Sequence, residues 1–361
     1  MKARKMKLSK SIQIQDEHLK LIEKLSNANG IAGQEQEIRQ IILEEIKPYA
    51  DEIHVDAMGN VLAVKKSKQP DAIKVMVAAH MDEVGFLITK DDEDGLYNFD
   101  IVGGVDKRQL IGKTVSIGKK HFPGIIGARP IHLTTREERK QVIPLDQLRI
   151  DIGIGKNGDV HPGDMATFAT KFQINGPSLR GKALDDRLGV FNLIQCLKHA
   201  PEHIELQAAF TVQEEIGLRG AKTAAFTFNP DVAFVLDATP ANDLPSHDGE
   251  ENIQYNTRAG AGPAIYIADS ATLTDPRLIA FVMEVAEANQ IPYQIRQPGG
   301  GGTDAGAIHK SRAGVPSLSL SVPTRYIHTA ISFARISDWE ASLNLILAVL
   351  NNCTHSILDR N

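Results

Sequence analysis

A chain of 361 residues, 42% of them apolar, has the length of two domains and enough apolar content for a sizeable buried core. Its formal charge of -5 offers no basic field to nucleic acid. No stretch supplies the roughly 18 apolar residues that a membrane span requires, so neither nucleic acid nor a membrane is an expected partner.

Five of the first ten residues are Lys or Arg, which reads as a solvated tail. This segment lacks the apolar run and small-residue cleavage site of a signal peptide, and the expected location is the cytoplasm. Apolar positions at helical spacing predict helices over 16–28 and 34–47, with Asn29-Gly30 able to cap the first. Strands follow at Val61 to Val64 and, buried and rich in β-branched residues, at Ile73 to Ala79. From about 88 to 174 the texture changes to short alternating pieces between glycine-bearing turns, among them Gly103-Gly104, Gly112 and Gly118. An all-β domain over 88–174, inserted between two parts of a catalytic α/β domain at 1–87 and 175–361, is the expected organisation. Helix patterns at 185–199, 275–289 and 338–351 alternate with apolar runs at Leu206 to Val212, Val232 to Leu236 and Val315 to Leu320. The fold class is therefore α/β, a mixed and mostly parallel sheet flanked by helices.

In such sheets functional groups gather beyond the carboxyl ends of the strands. His80-Met81-Asp82 follows one predicted strand, Glu214-Glu215 a second and Asp237 a third, while Asp185-Asp186 opens a helix and His328 lies beyond the last strand. His80 and Asp82 suit an imidazole ligand whose second nitrogen is held by an acid, or a structural histidine at a strand end. Asp185-Asp186 suits a ligand, or an N-cap with a first-turn acid. Adjacent carboxylates on opposite faces of a strand end suit one ligand and one general base, or a solvated pair. The two cysteines, Cys196 and Cys353, lack CxxC spacing, so thiolate ligation is not expected. Two His with several Asp and Glu at successive strand ends suit divalent ions such as zinc, cobalt or manganese, jointly in a binuclear site whose shared water becomes the nucleophile.

Ala78-Ala79-His80-Met81-Asp82-Glu83-Val84-Gly85, Gly181-Lys182-Ala183-Leu184-Asp185-Asp186-Arg187 and Gln213-Glu214-Glu215-Ile216-Gly217-Leu218-Arg219-Gly220 appear in order. Leu236-Asp237, Gly302-Thr303-Asp304-Ala305 and Arg325-Tyr326-Ile327-His328 continue the series. With them the chain resembles, over nearly its whole length, the tetrahedral (TET-type) dinuclear metallo-aminopeptidases, the glutamyl or deblocking aminopeptidases. The resemblance implies an aminopeptidase with two divalent ions per subunit, one on His80, Asp185 and Asp237 and the other on Asp185, Glu215 and His328. Asp185 is then the bridge, Glu214 the general base for the metal-bridging hydroxide, and Asp82 the support of His80. The resemblance further implies peptide substrates, dimer contacts through the β insert and assembly of dimers into dodecamers.

Gly299 to Gly302 suit a close backbone approach to the substrate's amino end, with Gly302, Thr303 and Asp304 as the expected substrate-side residues, or else a plain flexible loop. Tyr266 and Ile267 stand where a basic residue is frequent in relatives, so no particular N-terminal residue is implied. A dinuclear carboxypeptidase or an N-acyl amino acid deacylase on a related fold shares the ligand set; the wording of the motifs favours the aminopeptidase.

Overall fold

The computed structural model describes residues 6–155, 159–247, 257–297 and 300–359; Pro298 and Gly299 of the glycine run lie outside them. Helices α1 (Asp16–Asn27) and α2 (Gln36–Ile46) lead into strands β1 (Glu52–Val55), β2 (Val61–Lys65) and β3 (Ile73–His80). Six strands then form a second body: β4 (Gly85–Asp91), β5 (Leu96–Val102), β6 (Thr114–Ile117), β7 (Phe122–Gly127), β8 (Arg149–Asp151) and β9 (Met165–Phe168). The chain returns through β10 (Gln173–Asn175) and β11 (Ser178–Gly181) to α3 (Leu184–Lys198), β12 (Ile204–Thr211), α4 (Arg219–Phe228) and β13 (Val232–Pro240). It ends with β14 (Ala264–Ile265), α5 (Pro276–Ala288), β15 (Gln294–Ile295), α6 (Ala305–Ile308), β16 (Ser317–Arg325), β17 (Ser332–Arg335) and α7 (Ile336–Asn352).

The large sheet runs β1-β2-β12-β3-β13-β16-β17-β11-β10. Its four central strands, β12, β3, β13 and β16, are parallel, and the flanks on both sides are antiparallel. Strands covered on both faces need no polar side, which is why β3 reads as one continuous apolar run. Successive residues of β3 serve opposite cores. Val75, Val77 and Ala79 face α1, α2, α3, α5 and α7, whereas Met76 and Ala78 face α4 and α6. Helix α3 is buried all round from Leu184 to Leu197, and its Phe191 ring meets Trp339 of α7 edge to face at 4.7 Å. Helix α4 was not expected from the sequence: it meets the sheet through Gly220, Ala221, Ala224 and Ala225, residues too small to mark an apolar stripe.

Strands β4 to β9 close into an antiparallel barrel in the order β4-β5-β8-β7-β6-β9. Phe86 fills its centre, edge to face with Phe99 at 5.3 Å and with Phe168 at 5.1 Å. The barrel is entered almost directly from the end of β3. At that seam Gly85 is required by contact, since a Cβ there would lie 2.5 Å from the Ala166 carbonyl oxygen on β9.

Asn29-Gly30 does not cap α1 with a left-handed residue, because the C-cap is Ala28 in an extended conformation. Gly30 is needed instead for close packing, its Cβ position lying 2.7 Å from Ile38 Cγ2 and 2.8 Å from Arg187 Nη2.

The seam yields the first prediction. Gly85→Ala forces β4 away from β9 and should lower stability by about 1–3 kcal/mol, the usual penalty of overpacking, read as a lower urea midpoint. An unchanged midpoint would show that the seam tolerates the displacement.

Candidate metal centre

The parallel strands bring their carboxyl ends to one edge of the sheet, and the chemistry-bearing residues collect there. His80 is the last residue of β3, paired in register with Thr211 at the end of β12. Asp237 lies inside β13, three residues short of its end at Pro240. Asp185 stands at the head of α3 with its backbone still outside the helical region. His328 lies in the turn between β16 and β17, with Tyr326 and His328 both at positive φ.

Asp185 occupies the middle. Its Oδ1 is 3.2 Å from His80 Nε2, and its Oδ2 is 3.3 Å from His328 Nε2. Glu215 Oε2 lies 3.3 Å from the same His328 nitrogen, and Asp237 Oδ1 lies 3.7 Å from His80 Nε2. The structure thus brings together His80, Asp185, Glu215, Asp237 and His328. Donor atoms close to within 4.8 Å of one another in two groups, His80 with Asp186 and Asp237, and His80 with Asp185 and Glu215. Asp186, which the sequence left open as a ligand or a first-turn acid, is therefore part of the cluster; its Oδ2 is buried with no hydrogen-bond partner.

Both histidines are aimed from behind by carbonyl groups. His80 Nδ1 donates to the Asp82 carbonyl oxygen at 3.1 Å, and the Asp82 carboxylate is farther away at 3.7 Å. The nearer support of His80 is thus the Asp82 carbonyl, with the Asp82 carboxylate beside it as an ion-pair partner. The Asp82 carboxylate also accepts from the backbone N–H of Glu214 at 3.0 Å and of Glu215 at 3.1 Å. Those two glutamates do not occupy opposite faces of a strand, because β12 ends at Thr211 and Gln213 turns the chain at a φ of 56°. The Asp82 carboxylate fixes this turn. His328 Nδ1 donates to the carbonyl of Gly104 at 3.1 Å, which puts the segment after β5 against the site. Gly103-Gly104 had read only as a turn, and nothing in the sequence ties it to His328.

Gly302, Thr303 and Asp304 lie in the loop before α6. Thr303 Oγ1 bonds Ser319 Oγ at 2.6 Å, and Asp304 Oδ2 accepts from the Thr211 hydroxyl at 2.5 Å. Thr303 and Asp304 are at most 2% exposed and anchor the loop to β16 and β12, so of these three residues only Gly302 is exposed.

Charge is the dominant feature of the cluster. Burial pushes Glu215 up to about 8 against the pull of His328, Asp237 up to about 6 against His80, and Asp304 up to about 7 against Thr211. Glu214 is raised well above the usual carboxylate range, again chiefly by burial. Burial also opposes charge on the imidazoles, but Asp185 and its neighbours outweigh it, lifting His328 to about 9 and His80 well above its ordinary value. Asp185 moves the other way: burial is overcome by the two flanking histidines, which hold it below the carboxylate range. Buried carboxyls that cling to protons, two imidazoles and an unpartnered carboxylate oxygen make a donor set that fits divalent cations.

The M42 glutamyl aminopeptidase family matches residues 59–345 of this chain. A putative aminopeptidase of Acetivibrio thermocellus is 38% identical over 335 residues, covering 91% of this chain and 97% of that protein. The structure of a TET aminopeptidase from a marine-sediment Thaumarchaeota archaeon superposes with a TM-score of 0.89 at 34% identity, covering 95% and 99% of the two chains. The Pyrococcus horikoshii TET1 peptidase, described as assembling into a tetrahedron or a large octahedral shell, is 36% identical with a TM-score of 0.80, covering 92% and 98%. With the donor cluster at the strand ends and a family match over most of its length, this chain belongs to the M42 glutamyl aminopeptidase family of peptide hydrolases.

Proposed function

We propose that the chain removes the N-terminal residue from peptides with two divalent metal ions, zinc or cobalt foremost and manganese as a further fit. The observation that carries this reading is the single carboxylate of Asp185 set between two imidazoles, one facing each oxygen at 3.2 and 3.3 Å. His80, Asp185 and Asp237 would hold one ion, and Asp185, Glu215 and His328 the other. Asp186 stands beside the first. Bound there, the ions supply Lewis acidity, polarising the scissile carbonyl and making a water acidic enough to attack near neutral pH.

The chain's own residues do the rest. Glu214 is the general base, for its carboxyl has no hydrogen-bond partner among the described residues and sits within the field of His80 and Asp237. It takes a proton from the attacking water and returns it to the leaving amine. Asp82 holds His80 by its carbonyl and the Glu214-Glu215 turn by its carboxylate, so one residue keeps ligand and base in register. Gly302 lines the approach of the substrate's amino end, with Thr303 and Asp304 anchoring the loop behind it.

The inserted domain expected over 88–174, which takes in most of the barrel, carries the dimer contacts, and dimers build a larger homo-oligomer, a dodecamer as the TET-type resemblance implies, in keeping with the shell-forming relative. The cytoplasm suits two buried cysteines left unpaired. Among the described residues no helix is long and apolar enough to cross a membrane.

Three outcomes follow. A panel of aminoacyl-nitroanilides should be cleaved by the metal-loaded protein and left intact after chelation; release of C-terminal residues from blocked peptides alone would sink the reading. Glu214→Gln should lose roughly 10²–10⁴-fold in turnover while elemental analysis still finds both metals. Full activity in that variant would remove Glu214 from the role of base.

The third outcome concerns pH. Glu215 and Asp237 have ordinary values of 4.5 and 3.8 and lie near 8 and 6 in the folded metal-free chain, so the fold holds their protons more tightly than the unfolded chain does. Their stabilisation is complete below the ordinary values and is lost as pH rises through the folded ones. His328, raised from 6.5 to about 9, has the same sign, whereas Asp185, being lowered, acts oppositely but only below its ordinary 3.8. In chelator the urea midpoint should fall between about pH 5 and pH 8, and saturating zinc, by replacing the protons, should flatten that slope. A metal-free midpoint that rises over this range would contradict the charge assignment.

A further inference from the structure

Behind the two segments that carry His80 and Asp185 lies an ionic cluster that the chemistry above leaves unused. Glu83 Oε1 accepts from Lys182 Nζ at 2.6 Å, from the Gly30 backbone N–H at 3.0 Å and from Arg187 Nη2 at 3.3 Å. Lys182 Nζ also donates to the Ala28 carbonyl at 2.8 Å, and Arg187 Nη1 donates to the Met81 carbonyl. None of the three charged side chains is more than 3% exposed.

Stability is a poor reason for such a cluster, since buried ion groups are often matched or bettered by apolar side chains of similar volume. Its position offers a better one. Glu83 is three residues past His80; Lys182 and Arg187 bracket Asp185. Arg187 grips the carbonyl of Met81, the one residue between His80 and Asp82. Room for its guanidinium exists only because residue 30 is glycine, a Cβ there lying 2.8 Å from Nη2. Arg187 also feels the charges of Asp82 and of its chain neighbour Asp186, so the cluster, with two cations to one anion, sets positive charge behind the acid-rich site. Glu83 and Lys182 line one small cavity together with Asp185, Glu215 and His328, so this part of the cluster borders the site directly.

We propose that Glu83, Lys182 and Arg187 form a positioning cluster that sets the spacing of the His80 and Asp185 backbones and thereby the affinity and geometry of the metal centre. The proposal rests on the metal-centre reading above. The three residues touch neither ion nor substrate; they act through the ligands, as outer partners of metal ligands commonly do.

The test is cobalt(II) titration of the chelator-stripped full chain, followed by visible absorption, which reports coordination geometry independently of turnover. Glu83→Gln keeps the shape of the side chain and can still accept from the Gly30 N–H, but it removes the anion that the two cations share. It should weaken cobalt binding about 10–100-fold and shift the absorption band. Lys182→Met is the second variant and should act in the same direction. Leu345→Ala, a fully buried position of α7 away from the cluster, is the control: it should lower the urea midpoint and leave affinity and band unchanged.

Wild-type affinity and spectrum in both cluster variants would overturn the proposal. So would an equal loss of affinity in Leu345→Ala, which would assign the effect to general stability. A wild-type chain that takes up no cobalt would overturn the metal-centre reading itself, an outcome distinct from a failure confined to the variants.

Discussion

Everything near the carboxyl edge of the sheet answers to one constraint: seven carboxyl groups, those of Asp82, Asp185, Asp186, Asp237 and Asp304, all buried, and of Glu214 and Glu215, half-buried, converge on two histidines. Ionised carboxylates cannot accumulate there without counter-charge. In the metal-free chain protons serve, retained on the raised acids and on both imidazoles. Divalent cations do the same work at higher charge density, so proton and metal compete for one set of oxygens and nitrogens. The two histidines that hold Asp185 ionised without metal are the residues that would give up their protons when metal arrives.

The fold meets this demand by geometry. Parallel strands deliver their carboxyl ends to a common edge, so β3, β12, β13 and β16 each add a group without any strand having to bend. The barrel is not a bystander. It is inserted between the two segments that matter most, starting at Gly85, five residues past His80, and its last strand ends at Phe168 before the return to Asp185. Glu83 sits at the entrance, and the Gly104 carbonyl, just past β5, orients His328. The barrel is thus tied to His328 by a hydrogen bond and to His80 by chain connection through Glu83. If assembly proceeds through barrel contacts, it bears directly on the geometry of the metal ligands.

What the sequence disclosed follows from the range of the interactions involved. His80 and Asp237 were legible because a polar residue within or just after a continuous apolar run contradicts its surroundings. Their strands were legible because burial on both faces leaves long apolar stretches. The antiparallel flanks were not: β10, β11 and β17 have three or four residues each, with polar ones among them, and their pairing depends on partners far away in the chain. Helix α4 escaped notice because alanine and glycine fit it to the sheet without an apolar stripe. Asp82 was singled out, yet its nearer support of His80 is the carbonyl oxygen, which every residue has and no pattern reveals. The link between Glu83 and Lys182 spans 99 residues, beyond the reach of any spacing rule.

Glu214 and Glu215 are where a local constraint would divide labour between like residues under the proposed mechanism. Both are glutamates, both have their N–H held by the same Asp82 carboxylate, and burial raises both. They differ in what the turn presents them to. Glu215 is directed at His328, 3.3 Å away, and its oxygens are committed to the ligand cluster. Glu214 has no partner among the described residues, which leaves its lone pairs free to accept a proton. A base must have an acceptor site unoccupied when substrate arrives, and a ligand must not. With Gln213 at a φ of 56° turning the chain after β12, two adjacent residues of one type face different surroundings, as the proposed roles of base and ligand require. The assignment of base and ligand therefore rests on the turn, held in place by Asp82, and not on any chemical difference between the side chains.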